Sequence, residues 1–178
     1  MERIKLTILA ILISLGGCAG MERATDSDKP VEFVLEAPNK TKDQLFSASK
    51  SWIAETFVSG KSVIDDADKD SGRIIAKAII KKPCDGVQCA LESGWKIGFT
   101  LRIDTKDGKI RTTYTNPIII TPSTSGSLVG STYVSGSQGS ERPISLRGEF
   151  DDAKKAFRAL SDELQSYVTN ESTGTKNF

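Results

Sequence analysis

The fold is decided by Trp95-Lys-Ile-Gly-Phe-Thr-Leu-Arg-Ile-Asp104, continued by Thr105-Lys-Asp-Gly-Lys-Ile-Arg-Thr-Thr-Tyr-Thr115. In the first half, apolar side chains alternate strictly with polar residues or glycine, which predicts a β-strand with one buried face. The four residues 105–108 are typical of a hairpin turn. The alternation resumes on the returning strand, so the stretch predicts an antiparallel hairpin that buries one face and exposes the other.

A strand and a helix are predicted before this hairpin. Residues 31–36 alternate apolar with acidic side chains, which predicts a short strand that Pro38 ends. Residues 41–44, Thr-Lys-Asp-Gln, form a capping box. Apolar residues then recur at helical spacing over 45–57, with Gly60 as the expected stop.

Two further strands are predicted between the helix and the hairpin. The first is short and covers residues 62–64. The second covers residues 73–81 and is rich in isoleucine, which favours a strand. An acidic loop over 65–72 is expected to join them.

The alternation ends after the hairpin, and a final helix closes the domain. Pro117–Arg142 is rich in glycine, serine and threonine, which predicts a mobile loop with a local hairpin over 128–134. The last helix is predicted over 151–168, with Asp151 and Asp152 at its positive end. The order β-α-β-β-β-β-α predicts a two-layer α+β domain, an antiparallel sheet with two helices on one face.

The first residues have the pattern of a secretory signal. Arg3 and Lys5 precede an apolar run, 6–15, that is too short to span a bilayer as a permanent helix. The run ends in Leu15-Gly-Gly-Cys18, which resembles the lipobox of bacterial lipoproteins. The resemblance implies cleavage before Cys18 and acylation of its thiol. The alternative is an ordinary signal with a chance cysteine, or a core helix.

These signals divide the chain into four parts. Residues 1–17 are predicted as a lipoprotein signal peptide, 18–30 as a flexible tether, 31–168 as one domain and 169–178 as a disordered tail. Ala19 after the cysteine resembles the outer-membrane sorting pattern. The expected location is therefore the cell envelope, lipid-anchored at the outer membrane and facing the periplasm.

Charge and residue usage exclude several classes of protein. The chain has 24 basic and 23 acidic residues, a net charge of +1, and so lacks the electrostatic footprint of a nucleic-acid binder. It has no histidine, which removes the usual general base, metal ligand and pH switch. We expect no enzymatic activity, no metal and no cofactor.

Two cysteines remain once the lipobox has used Cys18. In an oxidising envelope, Cys84 and Cys89 are expected to pair as a disulfide. The alternative for such a pair is half a zinc site, but the sequence offers no histidine and no second cysteine pair to complete one.

Three motif fragments are incomplete. Asp66-Ala-Asp-Lys-Asp-Ser-Gly72 resembles a calcium loop, but Ser71 stands where that loop needs glycine. Ser47-Ala-Ser-Lys50 matches Ser-x-x-Lys without its companion motifs. Gly60-Lys-Ser62 ends like a phosphate-binding loop without the required earlier glycine. We expect an exposed acidic loop and a polar helix face instead.

Basic side chains on the predicted strands form a candidate binding face. Lys77, Lys81, Lys96, Arg102 and Arg111 are expected to share the sheet face away from the helices. Such a face could receive an anionic polymer or a lipid head group. The alternative is a solvated antiparallel face, where these residue types are common.

Several short motifs within 31–168 are typical of one family. They are Leu45-Phe46, Ser51-Trp52-Ile53, Phe57, Lys61-Ser62-Val63-Ile64, Gly72-Arg73-Ile74-Ile75-Ala76-Lys77, Leu101-Arg102-Ile103 and Asp107-Gly108-Lys109-Ile110-Arg111. Through them the region resembles the bacterial domain-of-unknown-function family 4468, described as TBP-like. The resemblance implies a curved sheet with two helices behind it, and it supplies no catalytic residues.

The expected function is a non-catalytic binding or scaffold module. Its sheet face, or the loop 123–140, would contact an envelope protein. The alternative is a carrier or sensor of a small amphiphile held between sheet and helices, around Trp52, Phe57, Trp95 and Phe99. Those four aromatic residues could equally be plain core.

Overall fold

A six-stranded antiparallel sheet with two long helices on one face forms the body of the protein. The computed structural model describes residues 22–25, 29–57, 63–84, 86–124, 127–129, 132–134 and 136–170. The predicted signal peptide, Cys18 and residues 171–178 of the predicted tail lie outside the described residues. In chain order the elements are β1 (Val31–Glu36), α1 (Lys42–Thr56), β2 (Val63–Asp68), β3 (Arg73–Lys81), α2 (Gln88–Leu91), β4 (Lys96–Lys106), β5 (Lys109–Thr121), β6 (Ser127–Val129), β7 (Thr132–Val134), β8 (Ser140–Pro143) and α3 (Arg147–Asn170).

The strands of the main sheet follow the order β1-β5-β4-β3-β2, and β8 pairs with the second half of β5. Helix α1 packs on β3 and β4, and α3 packs on β1 and β5, so both long helices cover the same face. The predicted two-layer α+β class is confirmed. The short helix α2 and strand β8 are additions to the predicted order, and the hairpin β6–β7 corresponds to the local hairpin predicted over 128–134.

The core fills the space between the sheet and the two long helices. Ile97, Leu101 and Ile103 of β4 are fully buried, as the strict alternation predicted. The ring of Tyr114 on β5 stacks on Phe157 of α3, with ring centroids 4.4 Å apart. Each large apolar side chain buried in this way stabilises the fold by roughly 1.5–3 kcal/mol, and this packing holds the helices on the sheet.

Helix α1 begins as predicted and ends earlier than predicted. The Thr41 hydroxyl accepts the Gln44 backbone N–H, and the Gln44 side chain accepts the Thr41 backbone N–H, which completes the capping box. The helix ends at Thr56, and the Phe57 N–H still donates to the Ile53 carbonyl. Gly60, the expected stop, lies outside the described residues.

Strand β2 is longer than the predicted strand over 62–64. The acidic residues 65–68 belong to the strand, and the turn is confined to 69–72. The Asp68 carboxylate accepts the backbone N–H groups of Asp70 and Ser71, which closes this turn. Side-chain-to-backbone hydrogen bonds of this kind favour a tight turn over an open acidic loop.

The predicted loop Pro117–Arg142 is shorter in the structure, because β5 continues to Thr121 and β8 begins at Ser140. Asn116, with φ of 51°, lies with Pro117 opposite the single residue Phe99. Such a bulge accommodates a proline, which cannot donate to the ladder, and it reverses which side chains face inward. The predicted local hairpin is confirmed, since β6 pairs with β7.

Helix α3 is longer than the predicted 151–168 and runs from Arg147 to Asn170. The predicted acidic pair Asp151–Asp152 therefore lies in the second turn, and Glu149 is the acidic residue of the first turn. Glu149 forms an ion pair with Arg142 of β8, which anchors the early start of the helix. The helix also takes in the first two residues of the predicted tail.

Part of the predicted tether, 18–30, is paired with the domain. The Ala24 N–H donates to the Ser145 carbonyl at 2.9 Å, and the Arg147 N–H donates to the Glu22 carbonyl at 2.7 Å. These bonds join the chain before β1 to the start of α3. Because these backbone groups are hydrogen-bonded to the domain, residues 22–24 are held against it and do not move freely as a tether.

Candidate binding face

The sheet face that neither long helix covers is here called the outer face. Its side chains alternate with the buried ones along β3, β4, β5 and β1. The strand register aligns them in rows, which are Lys81–Lys96–Ile120, Ile79–Gly98–Ile118, Lys77–Thr100–Thr115, Ile75–Arg102–Thr113–Glu32, Arg73–Asp104–Arg111–Val34 and Lys106–Lys109–Glu36.

One end of the outer face is apolar. Ile79, Ile118 and Ile120 surround Gly98 there, and we call these three residues the isoleucine strip. All three are half-buried, although no long helix lies over them. A Cβ on Gly98 would come within 3.0 Å of the Ile118 side chain. The glycine therefore lets the isoleucine side chains lie flat across β4.

The other end carries three arginines around one carboxylate. Arg102 donates to Asp104 at 2.9 and 3.1 Å, Arg111 donates at 3.1 Å, and Arg73 forms an ion pair at 3.5 Å. Burial disfavours the charged carboxylate, but the hydrogen bonds from Arg102 and Arg111 outweigh it and lower the pKa of Asp104. We call this group the arginine cluster; its net charge is positive.

A shallow groove of about 180 Å³ lies beside the arginine cluster. Val34 forms its apolar wall and is 61% exposed. Lys109 is paired with Glu36 at 3.3 Å, whereas Lys106 has no ion-pair partner among the described residues. The residues that line this Val34 groove are Val34, Asp104, Lys106, Lys109, Ile110 and Arg111.

The basic residues predicted to share a face do lie on the outer face. They are Lys77, Lys81, Lys96, Arg102 and Arg111. The face is not uniformly cationic, however. Lys77 is paired with Asp65 at 3.1 Å, and Arg102 and Arg111 share Asp104. The remaining two lysines, Lys81 and Lys96, lie at the opposite end, next to the row of Ile79 and Ile118.

Two features of this face escaped the sequence analysis. The isoleucine strip was missed because Pro117 ended the predicted strand, although three successive isoleucines, 118–120, favour a strand. Asp104 is the second feature that was missed. In the structure it organises the arginine cluster, which depends on register between strands and has no local signal.

A buried ion network lies at the end of β3. The Lys82 ammonium donates to Glu92 at 2.6 Å and to Asp152 of α3 at 3.0 Å, and its side chain is only 1% exposed. Burial disfavours the charged ammonium, but the hydrogen bonds that it donates to both carboxylates outweigh this and raise the pKa of Lys82. This network fixes the segment that contains α2 against α3.

The predicted disulfide is present in that segment. Cys84 and Cys89 are bonded, with their Cα atoms 5.1 Å apart. Helix α2 begins at Gln88, between the two cysteines. The bond closes a small loop next to Lys82.

The four aromatic residues of the carrier hypothesis do not come together around one space. The rings of Trp52 and Phe57 meet at 5.6 Å, while Phe99 contacts Phe157 at 4.9 Å in a separate group. Trp52, Phe57 and Phe99 are buried, and Trp95 is partly buried against the core. Their packing is that of an ordinary core.

No group of three or more histidine, cysteine, aspartate or glutamate side chains is placed to hold a metal in the part of the chain that the structure describes. Ser47 and Lys50 are exposed on α1, as a polar helix face requires. Among the described helices, none is both long and apolar enough to cross a membrane.

The fold and its open sheet face define a TBP-like α+β domain, and comparison with one solved structure agrees. The chain is similar to a TBP-like protein from Parabacteroides distasonis, with 13% identity and a TM-score of 0.57, over 86% of this chain and 98% of that one. It also matches a DUF4468 family protein from Bacteroides ovatus, with 11% identity and a TM-score of 0.49, over 92% of this chain and 95% of that one.

Residues 32–119 match the model of the family described as a domain of unknown function (DUF4468) with TBP-like fold. The match supports the resemblance drawn from the sequence motifs. It ends within β5, so it leaves out the later part of the region 31–168 to which the resemblance was extended. No curated protein is significantly similar to the chain.

Proposed function

We propose that this chain is a lipid-anchored protein of the cell envelope and that its outer face binds another envelope protein without catalysing a reaction. The anchor would be an acyl group on Cys18, at the outer membrane and facing the periplasm. Support for the anchor is the sequence pattern that ends in Leu15-Gly-Gly-Cys18. The family description gives no molecular function, so the binding role rests on geometry.

The isoleucine strip is the observation that carries the binding role. Apolar side chains that lie together on an open sheet face are typical of an interaction surface. Ile118 and Ile120 are held over Gly98, so a partner would meet a preformed surface. Burying the exposed part of each isoleucine would contribute roughly 1 kcal/mol. Lys81 and Lys96 in the adjoining row provide a polar rim.

Photocrosslinking in cells tests the binding role. A photoreactive amino acid replaces Thr100, which lies in the row next to the strip, in the full chain. The matched control carries the same amino acid at Lys155, which is exposed on α3 in the opposite layer. We expect a discrete crosslinked protein from position 100 and none of that mass from position 155.

A second substitution links the crosslink to the strip. Ile118→Lys replaces a half-buried apolar side chain by a charged one and so removes the apolar contact, and it should abolish the crosslink from position 100. A crosslink that persists in this variant, or that forms equally from both positions, would contradict the proposed role of the outer face.

The anchor has its own test. Cys18→Ala should release the protein from the membrane fraction, because the acylation site is lost. If the variant still fractionates with membranes, the proposed anchor is wrong. That result does not affect the crosslinking test of the outer face.

A further inference from the structure

We propose that the Val34 groove binds an oxyanion, a carboxylate or a phosphate, that carries a short apolar substituent. The inference rests on the proposed function, because it assigns a ligand chemistry to one end of the same outer face. It concerns the end away from the isoleucine strip.

The charges around the groove favour an anion. Lys106, Lys109 and Arg111 line it, against the carboxylates of Asp104 and Glu36. The arginine cluster brings two more guanidinium groups to Asp104, so that carboxylate is more than neutralised. A positive excess in a concave site attracts and concentrates anions.

The groove also offers hydrogen-bond donors toward an incoming oxyanion. Arg111 uses one terminal nitrogen for Asp104, and a guanidinium carries five N–H donors in all. Its side chain is about half exposed, so further donors are accessible. Lys106 adds an ammonium group without an ion-pair partner among the described residues. Charge-assisted hydrogen bonds are stronger than neutral ones.

Val34 gives the groove its preference for an apolar substituent. Its neighbours Phe33 and Leu35 turn toward the core, whereas Val34 faces outward between charged residues. A cavity of about 150 Å³ holds a benzene-sized group, so a groove of about 180 Å³ accommodates a group of that size. The site therefore suits an anionic head with a short chain rather than a whole lipid tail.

Titration of the purified full chain by NMR tests the inference. The probes are hexanoate and butyl phosphate, with acetate and neutral hexanol for comparison, and the signals are the methyl groups of Val34 and Ile110, which both line the groove. We expect saturable shifts with hexanoate or butyl phosphate, at a dissociation constant on the order of 1 mM. The probe with the lower dissociation constant identifies whether the site prefers a carboxylate or a phosphate. Affinity should fall as salt is added.

Three substitutions localise the site. Lys106→Gln should weaken hexanoate binding by about 5-fold, because one charge-assisted contact is lost. Val34→Thr should remove the preference for hexanoate over acetate, since it replaces a methyl by a hydroxyl at nearly constant volume. Lys155→Gln is the matched control, an exposed lysine on α3 in the opposite layer, and it should leave binding unchanged.

Several results would overturn the inference. They are the absence of a saturable Val34 shift, equal binding of hexanol and hexanoate, or equal weakening by Lys106→Gln and Lys155→Gln. None of these results affects the crosslink from position 100, which depends on the isoleucine strip. Failure here and failure of the proposed function are therefore distinguishable.

Discussion

The hydroxyl oxygens of Tyr114 and Ser161 lie 2.9 Å apart, so a polar contact joins the sheet to α3 inside an apolar layer. The Thr112 hydroxyl lies 2.9 Å from the same serine oxygen. Burial raises the pKa of Tyr114 to about 12, so the phenol stays neutral at physiological pH. Ser161 is the shared partner of two strand hydroxyls.

Ser161→Ala should lower the free energy of unfolding by about 1–3 kcal/mol, because Tyr114 and Thr112 both lose their partner in a buried site. Ser49→Ala is the matched control. Both serines are fully buried, but the Ser49 hydroxyl has no hydrogen-bond partner among the described residues. Urea unfolding should find Ser49→Ala neutral or slightly stabilising. An equal loss of unfolding free energy in the two variants would contradict the stabilising role of the hydrogen bonds to Ser161.

Gly72→Ala should destabilise the protein by more than about 2 kcal/mol. Gly72 has φ of 70°, and a Cβ there would lie 2.7 Å from two Thr105 oxygens. Gly86 has φ of 57° with nothing within 4 Å, so Gly86→Ala should cost only about 1 kcal/mol of backbone strain. Thermal unfolding of both variants measures the difference. If the two variants unfold at the same temperature, crowding at Thr105 is not the cause.

Asp104→Asn should change how stability depends on pH. The folded protein lowers the pKa of Asp104. The charged carboxylate therefore stabilises the fold above the pKa of about 3.9 that the group has in the unfolded chain. This stabilisation is lost as the pH falls through the lower pKa of the folded protein. The variant should be less stable than the parent by about 1–3 kcal/mol at pH 7, because three arginines then lack their carboxylate. The difference in the free energy of unfolding between variant and parent should shrink at acid pH. A constant difference from pH 7 to pH 2 would contradict the stabilising role of the Asp104 carboxylate.

Replacing Cys84 and Cys89 by serine should cost at most about 2 kcal/mol, since the bond closes a loop of only a few residues and constrains the unfolded chain little. Thiol titration of the unfolded parent should find neither cysteine reactive. Two reactive thiols would contradict the presence of the disulfide. Unfolding of the variant at room temperature would contradict its expected small contribution to stability.

The sequence was most informative where one local pattern determined one outcome. The alternation over 96–104 predicted the buried face of β4, and the capping box predicted the start of α1. Local patterns were misleading where tertiary contacts determined the bounds of a strand or helix. Pro117 ended the predicted strand, yet the bulge at Asn116 carries β5 through it. The last helix was predicted to begin at Asp151, yet the pairing of Glu149 with β8 stabilises an earlier start.

The candidate site was harder to predict than the fold, because it depends on register. Alternation alone places Arg102 and Arg111 on one face. It does not show that Asp104 lies beside Arg73 and Arg111 in one row, which follows only from how three strands align. The exposure of Val34 also depends on β1 pairing with β5 as the edge strand.

The bonds that hold Glu22 and Ala24 to the start of α3 set how far the domain can stand from a membrane. With Cys18 acylated as proposed, three residues lie between the anchor and Glu22, so the chain makes four Cα-to-Cα steps. An extended chain covers at most about 3.5 Å per residue, so the attachment is no longer than about 14 Å. The domain would then sit close to the lipid surface instead of on a long stalk, and its partners would have to be other residents of that surface.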